Sequence, residues 1–232
     1  MSDPVSTLLD LLDLEPLEHN IYRGQNREIG SGRVFGGQVL AQALVAARRT
    51  VDEARDAHSL HGYFILPGDV GTPIVYFVDR LRDGKSFTTR RVTGIQHGQA
   101  IFSMTASFHR LEDGEEHHAP MPEAPPPEEL PSELDLIRDI ADKIPPRVRG
   151  VLTQDRPIDF RPVDPVDFFL PEPRAPRQMM WLRALGGIDA GQLEHQAVLA
   201  YASDYGLLAT ALLPHGLTIR MPHLQVASLD HS

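Results

Sequence analysis

The chain has 232 residues, with 22 Lys and Arg residues against 32 Asp and Glu residues, a formal net charge of −10, and no cysteine. At roughly 100–200 residues per domain, this length allows one large domain or two small ones, with a real hydrophobic core. The negative charge excludes a general attraction to nucleic acid or anionic lipid, and the missing cysteines exclude disulfides and cysteine nucleophiles.

The first 13 residues lack the basic start and the long apolar core of a signal peptide, and they are too few to span a bilayer. We therefore expect a cytoplasmic protein without stable membrane association and without a nucleic-acid partner. The leucines of this segment alternate with Asp and indicate a short amphipathic helix. The next long apolar stretch, Phe35–Ala47 (FGGQVLAQALVAA), predicts a second helix that is apolar on nearly all sides and therefore buried.

Four segments with aromatic and β-branched residues follow this helix and predict β-strands. They are His58–Leu66, Pro73–Leu81, Phe87–Gln96 and Ala100–His109. The turn residues Pro67–Asp69, Asp83–Gly84 and His97–Gly98 separate them at positions that suit hairpins. One buried helix followed by a meander of strands predicts a sheet wrapped around that helix.

The composition changes at Glu112 to Glu, His and Pro, which is typical of a linker. We expect an N-terminal domain at residues 1–111, an acidic, Pro-rich linker with a short helix at 112–150, and a C-terminal domain at 151–232. A long apolar run at Leu193–Leu213 predicts the helix of that second domain.

The two predicted core helices share a short sequence match, which indicates an internal repeat. VLAQA at residues 39–43 agrees with VLAYA at 198–202 in four of five places, and each helix precedes a strand with a Ser-Leu pair. The second copy is the shorter one, so that its helix stays partly uncovered. We expect that the chain continues beyond Ser232 or that another chain covers this helix.

Asp204 is the most informative polar residue, because helical spacing surrounds it with Ala200, Tyr201 and leucines. A carboxylate on such an apolar stripe has a raised pKa and can act as a base. The alternative is structural: Tyr201 or a backbone amide satisfies the carboxylate. Ser228 lies on a strand-like segment that could present its hydroxyl near Asp204, or it is a serine merely tolerated on a strand.

Gly36 and Gly37 begin the first core helix, where free amides can polarise a carbonyl oxygen; close helix packing is the alternative. His58 and His61 have a spacing that suits no single metal site, and His117 and His118 lie in the linker. We therefore expect no metal. The chain also lacks a GxSxG elbow, a P-loop and a GxGxxG fingerprint. The sequence therefore does not support a serine-triad hydrolase, a P-loop protein or a Rossmann dinucleotide-binding enzyme.

A series of short motifs along the chain resembles the acyl-CoA thioesterase II (TesB-like) family. In the first half they are YRGQ at 22, RVFGGQV at 33, AQA at 41, HSLH at 58, YF at 63, PGD at 67, RDG at 82, SF at 86, RRV at 90 and MTASF at 104. In the second half they are PS at 131, DRP at 155, YASD at 201, PHG at 214 and ASLDHS at 227.

This resemblance implies an α+β double hotdog fold, in which two long helices are each wrapped by an antiparallel sheet, the second copy being incomplete at its C-terminus. It implies hydrolysis of acyl-CoA thioesters by an activated water without a covalent intermediate. The family's catalytic Asp and Ser or Thr correspond to Asp204 and Ser228, whereas its glutamine would lie beyond Ser232. Gly36, Gly37 and His58 are candidate substrate-binding residues, and no cofactor is needed.

Two other functions remain open at this point. A non-catalytic protein that binds or senses acyl-CoA would also fit a chain that ends at Ser232. An enoyl-CoA hydratase of the same fold would carry an Asp and His pair at its own spacing, which this sequence lacks. By analogy with similar proteins we expect a homo-oligomer acting in fatty acid metabolism. The sequence does not define the acyl chain length.

Overall fold

The computed structural model describes residues 3–30, 32–167, 169–219, 221 and 224–232. Its α-helices are α1 (Pro4–Leu12), α2 (Gly36–Arg48), α3 (Glu133–Asp139), α4 (Pro146–Leu152), α5 (Gln192–Ser203) and α6 (Leu207–Leu212). Its strands are β1 (Glu15–Glu18), β2 (Ile21–Gly24), β3 (Asp56–Phe64), β4 (Ile74–Asp83), β5 (Phe87–Gln96), β6 (Gln99–His109), β7 (Ile158–Pro162), β8 (Met180–Ala184) and β9 (Asp230–His231).

The first half of the chain wraps an antiparallel sheet around α2. Every residue of this helix from Gly37 to Ala47 is buried, as its uniformly apolar sequence predicts. The inward faces of β4, β5 and β6 cover it with side chains such as Tyr76, Val92 and Phe102, all fully buried. The predicted arrangement of a helix inside a sheet is therefore confirmed.

The strand order differs from a simple meander in one place. The sheet runs β1-β2-β4-β5-β6-β3-β9, so that β3 pairs with β6 and not with β4. The prediction of a hairpin turn at Pro67–Asp69 was therefore wrong: these residues belong to a connection that crosses to the far side of the sheet. Gln96 holds this connection, accepting a hydrogen bond from the Asp69 N–H at 2.8 Å and donating one to the Asp69 carbonyl at 2.9 Å.

The second half packs its helix α5 directly against α2, and β7 and β8 form a two-stranded antiparallel sheet. Strand β9 joins the first sheet through β3, with His231 opposite Gly62. The predicted single helix Leu193–Leu213 is divided into α5 and α6, because Gly206 adopts a left-handed conformation with φ 84°. Asp204 is consequently the C-cap of α5 and not a residue in the middle of a helix.

The segment Gln192–His215 is long and apolar enough to cross a membrane by length and composition, and 28% of it is buried inside the protein. It contains both α5 and α6, and the turn at Gly206 interrupts it. Ala197, Val198 and Ala202 of α5 belong to the same hydrophobic core as α2. Part of its apolar character is therefore explained by packing against the first half of the chain.

Candidate active site

The C-terminal end of α5 meets the N-terminal end of α2 at unusually close range. A Cβ atom on Gly36 would lie 2.6 Å from the Asp204 Oδ2 atom, and one on Gly37 would come too close to the Tyr201 carbonyl oxygen. Gly37 is therefore required by the packing of the two helix backbones, whereas a side chain at Gly36 would displace the Asp204 carboxylate and the Phe64 ring. This contact brings Asp204, Gly36 and Gly37, three of the residues that the sequence singles out, into one place.

The carboxylate of Asp204 is buried, with 11% of the side chain exposed. Burial raises its pKa above the ordinary value, while the charge of His231 and the Gly37 N–H, which donates a hydrogen bond to the carboxylate, act in the opposite direction. A backbone amide does satisfy Asp204, as the structural interpretation expects, yet burial still prevails in the pKa. The group is therefore a stronger base than an exposed aspartate.

His231 is the site residue that sequence reasoning missed. Its Nδ1 atom lies 3.6 Å from Asp204 Oδ1, and its Nε2 atom lies 2.9 Å from the hydroxyl of Ser203. Only 6% of its side chain is exposed. The sequence places it 27 residues after Asp204 without a helical or strand spacing between them, so that only the pairing of β9 with β3 brings it to the site.

Ser228 lies in the irregular segment before β9 and is exposed. The sequence-based expectation of a strand at this position is not met, because β9 begins only at Asp230. The side chain that β9 presents to Asp204 is that of His231. The water-orienting role of Ser228 stays a prediction.

His58 is not brought to this place. It is exposed on the outer face of the sheet, where its Nε2 atom lies 2.8 Å from the Ser107 hydroxyl and its ring packs edge-on against His109. The other end of β3 approaches the site, since Phe64 contacts the position of Gly36. The length of β3, at about 3.3 Å per residue, therefore separates His58 from the site. Substrate contact by His58 stays a prediction.

A cavity lies against the same end of α5. Tyr201, Ala202 and Tyr205, which bracket Asp204, form one wall, and Phe35 connects it to the start of α2. The remaining walls are mainly apolar and come from Arg27, Ile29 and the segment 151–160, which includes Val151, Leu152, Pro157, Ile158 and Phe160. Such a lining suits a hydrocarbon chain better than a polar ligand.

The polar edge of the cavity is a small hydrogen-bonded cluster. Arg156 Nη1 lies 2.8 Å from Glu133 Oε2, and the Tyr205 hydroxyl donates to the same oxygen at 2.8 Å. Phe160 stacks on the Tyr205 ring with centroids 4.1 Å apart. This cluster fixes the cavity wall, because each polar group has a partner and the aromatic rings are held face to face.

Within the described ranges, no group of three or more His, Asp or Glu side chains is arranged to hold a metal ion.

Family models and curated relatives match most of the chain. The family model described as "Acyl-CoA thioesterase N-terminal domain" matches residues 25–109, and the one described as "Acyl-CoA thioesterase" matches residues 157–232. Acyl-coenzyme A thioesterase 8 of Homo sapiens is 42% identical over 230 residues, which cover 96% of this chain and 72% of that protein. Acyl-CoA thioesterase 2 of Haemophilus influenzae is 37% identical over 232 residues, covering 100% of this chain and 81% of that protein.

Solved structures give the same result. The crystal structure of the acyl-CoA thioesterase II TesB2 from Mycobacterium marinum superposes with a TM-score of 0.73 at 38% identity, covering 97% of this chain and 76% of that one. The double hotdog fold implied by the resemblance is confirmed. The chain belongs to the TesB-like acyl-CoA thioesterase II family.

Proposed function

We propose that the protein hydrolyses acyl-CoA thioesters to a free fatty acid and CoA, with Asp204 as the base that activates water. The observation that carries this proposal is the largely buried carboxylate of raised pKa at the N-terminus of α2, whose sequence neighbours Tyr201, Ala202 and Tyr205 line a mainly apolar cavity. Homologues named acyl-CoA thioesterases supply the reaction.

In the proposed reaction Asp204 accepts a proton from a water molecule as the water oxygen attacks the thioester carbonyl carbon. The carbonyl oxygen becomes negatively charged, and amides at the start of α2 stabilise it because the helix N-terminus favours negative charge. The C–S bond then breaks, and the proton held by Asp204 passes to the leaving CoA sulfur. The enzyme returns to its starting state without a covalent intermediate and without a cofactor.

The backbone amides of Gly36 and Gly37 have different roles in the proposed reaction. The Gly37 N–H already donates to Asp204 and holds the carboxylate in place. The Gly36 N–H belongs to the first turn of α2, whose amides have no partner within the helix. We assign Gly36 to the carbonyl oxygen and place the acyl chain in the cavity beside Tyr201 and Ala202. Ser228 completes the scheme by orienting the water.

Replacing Asp204 with Asn tests the proposal, because the amide has the same shape and cannot accept the proton. We expect kcat for thiol release from acyl-CoA to fall by about 10²–10⁴ while the affinity for substrate is retained. Asp189→Asn, an exposed carboxylate in the loop before α5, is the matched control and should not change kcat. A D204N variant with the turnover of the parent protein would refute the role of Asp204.

Three broader features belong to the same proposal. The acyl-CoA thioesterase relatives support a role in fatty acid metabolism. A cytoplasmic location without stable membrane association is part of the same proposal. It forms a homo-oligomer through its sheet, whose outer face carries the exposed side chains of Phe77, Leu81 and Phe87. Light scattering on the purified protein tests the oligomer, with a monomer at all concentrations as the contradicting result.

A further inference from the structure

The pairing of two strands directs His231 into the site. His231 lies opposite Gly62 in the antiparallel pair of β9 and β3, and residues opposite each other point to the same face. Gly62 faces the core, since a Cβ on it would contact Phe102 and Leu40. His231 therefore points inward to Asp204, whereas its neighbour Asp230 points outward, where its carboxylate lies 3.4 Å from His61.

The hydroxyl of Ser203 defines which ring nitrogen of His231 carries hydrogen. This hydroxyl donates to the Ala200 carbonyl oxygen at 2.9 Å and also lies 2.9 Å from His231 Nε2. A serine hydroxyl has one hydrogen only. The Ala200 carbonyl oxygen can only accept, so when the Ser203 hydrogen is directed to it, the contact with the ring is made by a hydrogen on Nε2 that donates to the Ser203 oxygen.

The other nitrogen, Nδ1, faces the Asp204 carboxylate. If Nδ1 and the carboxylate were both without a proton, two electron-rich groups would face each other in a buried place. A proton on either group removes this repulsion: on Nδ1 it makes the 3.6 Å contact an ion pair, and on the carboxyl group it leaves two neutral groups in contact. Ser203 and Asp204 are adjacent in sequence, so the turn at the end of α5 presents both partners to one imidazole.

We propose that His231 is a positioning residue for Asp204: Ser203 fixes the ring through Nε2, and Nδ1 holds the carboxylate in the orientation that activates water. This inference rests on the proposed function of Asp204. It adds a partner to the base and explains how a buried carboxylate stays usable near neutral pH. Ser203 acts through the ring and is not a nucleophile.

The electrostatic surroundings of Asp204 make this role specific. From α2, the Gly37 N–H faces the carboxylate, and from β9 the titratable group is His231. Asp230 and His61, the other charged groups of this strand pair, interact with each other on the outer face. A variant that removes the imidazole therefore leaves burial opposed by the amide of Gly37 only, and the pKa of Asp204 should rise.

The test measures thiol release from acyl-CoA as a function of pH for His231→Asn and Ser203→Ala, with His61→Asn as the exposed histidine control. We expect H231N to lose kcat by about 10- to 100-fold, the usual range for outer partners that orient a functional side chain. The acid limb of its kcat/KM profile should move to higher pH. S203A should shift the limb in the same direction with a smaller loss, and H61N should match the parent.

A second measurement does not depend on activity. Two-dimensional ¹H–¹⁵N NMR of histidine-labelled protein identifies which ring nitrogens carry hydrogen, and H231N assigns the signal. We expect Nε2 of His231 to be protonated in the parent and the signal to change in S203A. An unprotonated Nε2, or an acid limb that stays in place in H231N, would overturn the inference.

The outcomes separate this inference from the proposed function. A D204N variant with parental turnover contradicts both. A D204N variant without turnover, together with an H231N profile equal to that of the parent, contradicts the role of His231 alone. Complete loss of turnover in S203A, together with an acyl-enzyme burst in the parent protein, would instead identify Ser203 as a nucleophile and overturn its assignment as a support.

Discussion

Adding one methyl group at Gly36 should slow catalysis strongly while leaving the fold in place. A Cβ at this position would lie 2.6 Å from Asp204 Oδ2 and 2.9 Å from Phe64 Cζ. Ordinary contacts begin at 3.4 Å, so that the carboxylate oxygen has to move by about 0.8 Å. A displacement of this size at a catalytic group costs on the order of 10²-fold in rate. We therefore expect Gly36→Ala to lower kcat for thiol release by about 100-fold.

The effect of Gly36→Ala on stability should be small, because the atoms that move are the ends of two side chains. Overpacking costs about 1–3 kcal/mol, and alanine in a helix recovers about 0.5–1 kcal/mol relative to glycine. Urea denaturation should therefore show a loss of unfolding free energy of about 0–2.5 kcal/mol, near the lower end because only side-chain ends move. Gly150→Ala in α4 is the control, since no atom lies within 4 Å of its added Cβ. A G36A variant with parental kcat would refute the assignment of this contact to the active site.

Three further predictions concern the same region. Gly37→Ala should destabilise the protein by about 1–3 kcal/mol, measured by urea denaturation, because its Cβ meets the backbone oxygen of Tyr201, which cannot move alone; an unchanged midpoint would contradict this. Because burial raises the pKa of Asp204, the ionised form costs stability, and this cost is absent below the unfolded value near pH 4 and complete above the folded pKa. The unfolding free energy of Asp204→Asn minus that of the parent protein should therefore increase as the pH rises from about 4 to 7, as measured by urea denaturation at several pH values. A difference that decreases over this range would show that the folded protein favours the ionised carboxylate. Leu152→Trp, which narrows the cavity, should lower kcat/KM for long acyl-CoA about 10-fold or more relative to short acyl-CoA, and an equal loss for all lengths would place the acyl chain elsewhere.

Local sequence patterns were sufficient for most of the first half. The buried helix was predicted at Phe35–Ala47 and is found at Gly36–Arg48, because an uninterrupted run of small and apolar residues leaves few other structures. β5 is found where it was predicted, and the hairpin turns at Asp83–Gly84 and His97–Gly98 are confirmed. The pairing of β3 with β6 could not be predicted in this way, since strand order depends on contacts between residues that are distant in sequence.

The end of α5 shows a second limit of pattern reasoning. Leu193–Leu213 has the composition of one continuous helix, and nothing in its apolar spacing marks the position of the break. Gly206 is the only local signal, because glycine adopts a left-handed conformation readily. The break makes Asp204 a C-cap residue with its carboxylate toward α2, so that the feature missed by the pattern is the one that positions the base.

The sequence identified some of the site residues, but it did not identify the side chains that contact them. Asp204 was identified because a carboxylate among alanines and leucines is costly without a purpose, and Gly36 and Gly37 because they begin a helix. His231 lies in the same six-residue motif as Ser228, and only the inward register of β9 distinguishes the buried histidine from the exposed serine. β9 has only two residues, and its register is set by its pairing with β3. This contact joins residues that are distant in sequence, so that a single sequence does not reveal it.

The site is shared between the two halves of the chain, and this has a consequence for its stability. The amide of Gly37 comes from α2 in the first half, whereas Asp204 and His231 come from α5 and β9 in the second. The Gly37 contact therefore crosses between the halves directly, and the His231 contact depends on the first half because β9 pairs with β3. Loss of either contact should raise the pKa of Asp204 further, so that catalytic competence depends on the association of the two halves.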